Sequence, residues 1–390
     1  MSEEFFDDPY ETYRWLRDEA PCYHNEEYGF WALSRFDDVV AAHRDWKRFS
    51  NEHGLRLDQL KDPSNAVAKQ NIIVMDPPDH ETMRRLVSRA FTPREITRME
   101  PLAYDVISAY LDAVQGERSF DAMGDFAAPF PIEIISTMLG VPHADRQQIR
   151  HWTDQVLYRR PGDPNPTREG VEAFRARGSY FRDLVLDKRA NPGDDMIGQL
   201  IEAEVTDGDG TTQRLTDDEI VQFATLLASA GSETVTKLVG NAIVLFFRNP
   251  GEWQKVCNEP ALIPNAVEET LRYWAPSQYQ GRYSLADSVW HGVTIPANQP
   301  LFLLTGSANR DEREYGNADG FDIDRKFGLT VGFGYGIHFC IGAALARLEG
   351  RIAIEQWAKR WPRFSVDEAG CRRVTMSNVA GYANVPVSVG

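Results

Sequence analysis

Residues 332–342 read GFGYGIHFCIG, which sets one cysteine, Cys340, after Gly332, Gly334 and Gly336 and two positions beyond His338. The other cysteines, Cys22, Cys257 and Cys371, lie far away, and no C-x-x-C pair exists, so neither a zinc site nor c-type haem attachment is written here. The glycine spacing does not fit G-x-G-x-x-G, and no lysine follows as a phosphate-cradling loop requires. What remains is a tight loop that lets backbone approach something flat and bulky. It leads into IGAALARLEGRIAIEQW, an amphipathic helical pattern. A cysteine at the start of a helix meets backbone N–H groups and the positive end of the dipole, which favour thiolate. A thiolate with one axial contact suits haem iron, while an inert buried thiol is the competing reading of a lone cysteine.

A second stretch with chemical content is AGSET at 230–234, in the middle of LTDDEIVQFATLLASAGSETVTKLVGNAIVLFFRNP. Thr216 and Glu219 open this segment at capping-box spacing, and Asn249-Pro250 closes it. The pattern predicts one helix of roughly 45–50 Å at about 1.5 Å per residue. Gly231 costs such a helix about 1 kcal/mol against alanine, and serine and threonine compete for backbone bonds. Either another helix packs closely on Gly231, or the helix opens around Ser232, Glu233 and Thr234, whose polar groups then face water or a ligand. Two further pairs, Glu269 with Arg272 and His80 with Arg84, stand one helical turn apart and by themselves read as solvated pairs worth a few tenths of a kcal/mol.

The elements that must position these residues are mostly helical. DDVVAAHRDWKRF, REITRMEPLAYDVISAYLDAV, EAFRARGSYFRDLVLDKRA and NAVEETLRYW carry apolar residues at three- and four-residue spacings. Strand-like alternation is confined to YGFWALS, VWHGVTIPANQPLFLL at 289–304 and VPVSV near the end. RRPGDPNPTREG at 159–170 is a loop, and ANPGDDM and TDGDGTTQRL are shorter turns of the same kind. The expected architecture is mainly α: one unit over 1–390, richer in β structure over about 1–75, with a long central helix and small sheets. The 58 acidic against 42 basic residues, net −16, exclude the basic footprint of a nucleic-acid binder. The longest compact apolar run, AIVLFF, is too short for a membrane anchor, and the scattered cysteines fit a reducing cytoplasm.

Phe333, Gly334, Gly336, His338, Cys340 and Gly342 together spell F-G-x-G-x-H-x-C-x-G, which resembles the haem-binding loop of the cytochrome P-450 superfamily. In the same order along the chain, Ala230, Gly231, Glu233 and Thr234 resemble the family's A-G-x-[DE]-T oxygen-activating stretch. Glu269 and Arg272 resemble its E-x-x-R helix, with Arg325 at the position of the third member of that buried network. MDPPDHETMRRLVSRAFTP resembles the helix beside the haem in the soluble bacterial branch. The likeness runs through nearly the whole chain and is weakest between about 140 and 215.

The resemblance implies haem b (iron protoporphyrin IX), bound non-covalently with Cys340 thiolate as the axial iron ligand. His80, Arg84, Arg282 and His338 would hold its propionates, and Glu233 and Thr234 would deliver protons. It implies a monooxygenase that places one oxygen atom of O2 into a hydrophobic small molecule, by hydroxylation, epoxidation or dealkylation. Pocket walls would come from 55–74, Leu226, Leu227, Ala230, Ser277, Gln278, Tyr279 and VAGYA near 380. Electrons would come from a separate ferredoxin and its reductase, with Arg85, Arg89, Arg347 and Arg351 as docking cations on a monomer. A peroxide-driven peroxygenase is the alternative chemistry, against which the Glu233–Thr234 pair argues. A haem-binding sensor or carrier without turnover would need Cys340 but no proton relay.

Overall fold

The computed structural model describes residues 5, 7–62, 69–163, 165–206, 210 and 212–390. Ten helices carry or support the candidate residues. The first five are α1 (Phe36–Arg44), α2 (Asp79–Val87), α3 (Pro93–Ala113), α4 (Pro129–Leu139) and α5 (Arg146–Leu157). The others are α6 (Arg168–Ala190), α7 (Asp217–Ala230), α8 (Glu233–Arg248), α9 (Ile263–Tyr273) and α10 (Ala343–Arg360). Local sequence explains their starts. Thr92 caps α3 ahead of Pro93, and Thr167 accepts from Gly170 N–H at the start of α6. The capping box at Thr216 and Glu219 is formed, with 2.7 Å from Thr216 N–H to Glu219 Oε2.

Helix α8 lies in the centre. Every residue from Val235 to Phe246 is buried, and the same apolar cluster takes in faces of α3, α4, α7, α9 and α10. A helix buried on all sides needs its few polar groups satisfied inside the fold, and here Lys237 pairs with Glu233 while Asn241 Nδ2 donates to Trp274 O at 3.1 Å.

The strands of the two larger sheets are β1 (Cys22–Asn25), β2 (Phe30–Leu33), β3 (Phe49–Ser50), β4 (Ser119–Asp121), β5 (Gln280–Ser284), β6 (Gln299–Leu303), β7 (Phe364–Val366) and β8 (Pro386–Val389). One sheet has the order β1-β2-β6-β5-β3, so strands from the first fifty residues pair with strands from 280–303. β6 runs parallel to β2 and antiparallel to β5, with Leu301 opposite both Trp31 and Arg282. A second sheet has the order β7-β8-β4. The alternating stretch 289–304 resolves into a short hairpin, Ser288–Trp290 with Val293–Ile295, followed by β6. β5 gave no sequence signal, because GRYS carries an arginine where the strand is buried on both faces.

The long central helix is two helices. α7 ends at Ala230 and α8 begins at Glu233, with Gly231 and Ser232 between them. The released carbonyls are met by side chains: Ser232 Oγ donates to Ala228 O at 2.7 Å, and Thr234 Oγ1 donates to Ala230 O at 2.8 Å. Gly231 also sits against α4, where an added Cβ would stand 3.2 Å from Ile135 Cγ1 and 2.8 Å from Leu227 O. The two expectations for this glycine, close packing and local opening, are both met at one residue.

Candidate active site

The Cys340 loop is built on two glycines that need left-handed backbone, Gly334 (φ 71°) and Gly336 (φ 72°). Its ends are pinned by Cys340 N–H to Phe333 O at 3.0 Å and by Gly334 N–H to Val331 O at 2.9 Å. An added Cβ on Gly336 would run into the carbonyl of His43, so α1 presses directly on this turn. Burial pushes the Cys340 thiol up, and the Gly342 N–H, Arg84 and Arg347 offset part of that shift. Cys340 is nonetheless exposed, and α10 begins three residues later, at Ala343, so the helix start reaches the sulfur only through the Gly342 N–H.

Around this loop the structure gathers four of the residues singled out in the sequence. The rings of His80 (α2) and His338 lie 4.4 Å apart, and Arg84 Nη2 donates to Phe339 O at 2.7 Å. Arg282, on β5 and 3% exposed, adds its charge to the same cluster. A fifth member was not foreseen: His43 on α1 lies with Nδ1 at 3.1 Å from Arg282 Nη2. Burial lowers His80 to about 4 and holds His43 and His338 well below the usual imidazole range, with the arginine charges adding to each shift. The imidazoles are therefore neutral at pH 7. His80 Nδ1 and Nε2, His43 Nε2 and His338 Nε2 are buried with no hydrogen-bond partner. Nothing local in the sequence pointed to His43, which meets Arg282 across 239 residues.

Leu226, Ala230 and Thr234 stand four residues apart and are each accessible in part or in full, while Phe223, Ala224, Leu227, Ala228 and Val235 around them are buried. They form one face beside the break between α7 and α8. Glu233, next in the chain, is 5% exposed, with Lys237 Nζ 2.6 Å from its Oε1. Lys237 donates to Tyr382 O at 3.0 Å, so the contact with Glu233 is a close ion pair rather than a well-aligned hydrogen bond. Leu227 is buried in the core. Ser277 bridges to Val379, and its Oγ accepts from Gln280 Nε2 at 2.9 Å. Gln278 Nε2 is used by Ala275 O and the Tyr279 hydroxyl by Ser377 O, so their donors are engaged in the fold. Of the expected wall at 55–74, residues 63–68 lie outside the described residues.

Glu269, Arg272 and Arg325 meet as one buried network. Arg272 Nε and Nη2 grip the two oxygens of Glu269 at 2.7 and 2.8 Å, and Arg325 Nε lies 3.2 Å from Glu269 Oε2. The remaining Arg272 donors reach the carbonyls of Asn309, Ala318 and Gly320 at 3.1, 2.7 and 2.8 Å. All five guanidinium donors are thereby used. The four candidate docking cations differ in kind. Arg85 and Arg89 lie on α2 and the turn after it. Arg347 pairs with Glu268 at 2.5 Å and lies 4.6 Å from the Phe333 ring centre, and Arg351 pairs with Glu100.

A cysteine on a glycine loop, beside guanidinium groups and neutral imidazoles, the imidazoles with buried nitrogens that lack partners, fits a flat iron cofactor bearing two carboxylates. A family model described as cytochrome P450 matches residues 163–366. Cytochrome P450 123 of Mycobacterium tuberculosis is 41% identical over 387 residues, covering 99% of this chain and 95% of that protein. The vitamin D(3) 25-hydroxylase of Pseudonocardia autotrophica is 34% identical over 399 residues, covering 99% and 95%. Among solved structures, P450BioI in complex with hexadec-9Z-enoic acid ligated acyl carrier protein aligns with TM-score 0.89 at 30% identity over 100% of this chain and 99% of that one. CYP109E1 from Bacillus megaterium in complex with corticosterone aligns with TM-score 0.86 at 30% identity over the whole of both chains. The mainly α fold is the one these structures share, and the chain is a monooxygenase enzyme. It belongs to the cytochrome P450 family. No helix among the described residues is long and apolar enough to cross a membrane.

Proposed function

We propose that this chain holds haem b non-covalently through the Cys340 thiolate and inserts one oxygen atom of O2 into a hydrophobic small molecule. Its electrons come from a separate ferredoxin and ferredoxin reductase. The observation that carries this reading is the meeting of His43, His80, Arg84, Arg282 and His338 around the Cys340 loop, with buried ring nitrogens of the three histidines lacking partners. When bound, the haem supplies dioxygen reduction and oxygen transfer to a C–H or C=C bond.

The chain's own residues do the rest. His80, Arg84, Arg282 and His338 donate to the two carboxylates and offset the cost of burying them, and His43 orients Arg282. Thr234 stands at the helix break with its hydroxyl on Ala230 O, free to turn and hand on a proton from Oγ1, and Glu233 supplies that proton. Leu226, Ala230 and Ser277 wall a substrate site that is apolar with a few polar anchors, while Leu227 faces the core. Corticosterone in one structural neighbour and a fatty acyl chain in another are hydrophobic molecules bearing oxygen, which supports the same class of substrate here.

The test is the absorption spectrum of purified protein reduced with dithionite under carbon monoxide. A strongly red-shifted Soret band is expected. A Soret band at the position given by histidine or neutral thiol would remove Cys340 thiolate from the site, and protein that takes up no haem would end the reading.

A further inference from the structure

The buried arginines of this chain differ in what balances them. Among the described residues, Arg17 pairs with Glu312, Arg272 with Glu269 and Arg310 with Asp319. Arg159 donates to the carbonyls of Val156 and Tyr158 and lies near Asp58. Arg282 and Arg177 form no ion pair with any described carboxylate. For Arg282 the cofactor carboxylates of the proposed site supply the anion. Arg177 stands in the same condition on another helix. It interrupts the buried stripe of Gly170, Ala173, Phe181 and Val185 on α6 and is 3% exposed. Its Nη1 donates to Thr153 Oγ1 at 2.9 Å, and that hydroxyl gives its own proton to Ile149 O at 3.0 Å. Arg177 Nε is buried with no partner, so a full charge is balanced by one neutral hydroxyl. Burial alone brings this guanidinium down to about 10, and burial does the same at Arg282.

The place of Arg177 suits a ligand of the substrate site. Thr153 and Leu157 are one turn apart on α5 and share a face. Leu157 packs on Val374, Met376 and Val379, and Val379 bridges to Ser277 of the pocket wall. α5 and α6 both pack on α7, which carries Leu226 and Ala230. The charge thus lies where α5 and α6 roof the region between Ser277 and the accessible face of α7. It stands back from the helix break. Arg182, little more than a turn further along α6, meets Asp218 at 2.8 Å, and about 18 Å of α7 separates Asp218 from Ala230. We propose that Arg177 is the specificity-determining anchor for a carboxylate on the substrate, so that the site takes hydrophobic carboxylic acids. The acid end is held between α5 and α6, and an apolar carbon remote from it reaches the break at Thr234. This rests on the monooxygenase reading above. One guanidinium is matched by one monoanion, whereas a phosphate dianion would bring a second, unbalanced charge into an apolar wall. The planar fork can take both oxygens of a carboxylate in paired bonds. No bond is made or broken at Arg177, which binds substrate away from the reacting carbon.

The experiment has two arms. In the first, haem-loaded and substrate-free wild type, Arg177→Met and Arg177→Lys are melted side by side. Arg177→Met should melt at or above the wild-type temperature, as when an apolar side chain of similar volume replaces an unbalanced buried charge. An Arg177→Met protein that melts lower, or does not fold, makes the guanidinium structural and overturns the proposal. In the second arm, decanoic, palmitic and cholanic acids are titrated beside their methyl esters, with the haem spin-state shift as the readout. Wild type should bind the best acid about ten- to hundredfold more tightly than its ester, the worth of hydrogen bonds to a charged group. Arg177→Met should lose that preference and keep its affinity for the ester, while Arg177→Lys should keep part of it. Acid and ester bound alike by wild type, no acid bound, or a preference that survives in Arg177→Met overturns the carboxylate anchor and leaves the monooxygenase reading standing. A protein without the red-shifted Soret band under carbon monoxide fails that reading and the substrate class with it. The melting comparison then still decides whether Arg177 carries an unbalanced charge.

Discussion

Arg272 Nη1 donates to the backbone carbonyl of Asn309 at 3.1 Å, and the side-chain Oδ1 of Asn309 accepts from Val331 N–H at 3.2 Å. One asparagine thus ties the buried ion pair of α9 to the residue that begins the Cys340 loop. Arg272→Lys keeps the charge but offers three donors from a single atom in place of a five-donor fork. It leaves carbonyls unpaired and breaks the grip on Glu269, at a cost of about 3–5 kcal/mol. The expected outcome is protein with little bound haem, read as the ratio of Soret to protein absorbance. Asn309→Leu, which spares the carbonyl but leaves the buried Val331 N–H without a partner, should cost less, about 1–3 kcal/mol. Full haem content in Arg272→Lys would detach this network from the loop.

Gly336 and Gly334 share the same left-handed backbone, but their surroundings differ. A methyl on Gly336 meets the His43 carbonyl, whereas one on Gly334 meets only His43 Cε1 at an ordinary 3.8 Å. Gly334→Ala should therefore lose roughly the 1–2 kcal/mol of the left-handed conformation, and Gly336→Ala clearly more. Thermal melting of the two holoproteins checks the order. Equal melting temperatures would mean that α1 gives way.

Thr234→Ala should keep the substrate-induced spin shift and divert electrons from product to peroxide, because the hydroxyl at the helix break is lost while the pocket wall stays. Peroxide and product are assayed against reductant consumed. Unchanged coupling would take the proton role from Thr234.

The motif residues were legible because they are local. Phe333 to Gly342 fold as one loop, and Glu269 with Arg272 sit on one turn, so spacing alone groups them. What spacing cannot carry is the pairing between distant segments. His43 reaches Arg282 because β3 and β6 both flank β5 and α1 packs beneath them, and no property of AAHRD signals that. Lys237 was invisible for the same reason: its charge is held by Glu233 one turn before it and by the carbonyl of Tyr382, 145 residues away. The break between α7 and α8 was half legible: Gly231 and Ser232 marked where the helix could open, but the pressure of Ile135 lies on another helix.

The docking cations now separate into two kinds. Arg347 is held by Glu268 and lies over Phe333 of the cysteine loop, so reversing it removes packing as well as charge. Arg89→Glu should raise the Michaelis constant for ferredoxin and leave the substrate spin shift alone. Arg347→Glu should change both, and lower haem retention too. Steady-state kinetics at two ionic strengths distinguish them, since a docking effect shrinks at high salt. An Arg89→Glu enzyme with unaltered ferredoxin kinetics would place the docking face elsewhere.

Glu349 on α10 is buried with both carboxyl oxygens lacking partners, and burial alone holds its carboxyl well above the usual range. The folded protein therefore keeps a proton there that the unfolded chain releases above about 4.5. A raised value of this sign gives stability that is fully present below the unfolded value and is lost as pH climbs toward the folded one. Glu349→Gln has the same shape and cannot ionise, so it should match wild type near pH 4.5 and exceed it increasingly toward pH 8. The gap should grow by about 1.4 kcal/mol per pH unit, the value for one proton, until the folded carboxyl itself ionises. Urea midpoints of the two holoproteins across that range measure the slope. Parallel curves would mean that Glu349 ionises in the folded state, with water reaching its oxygens.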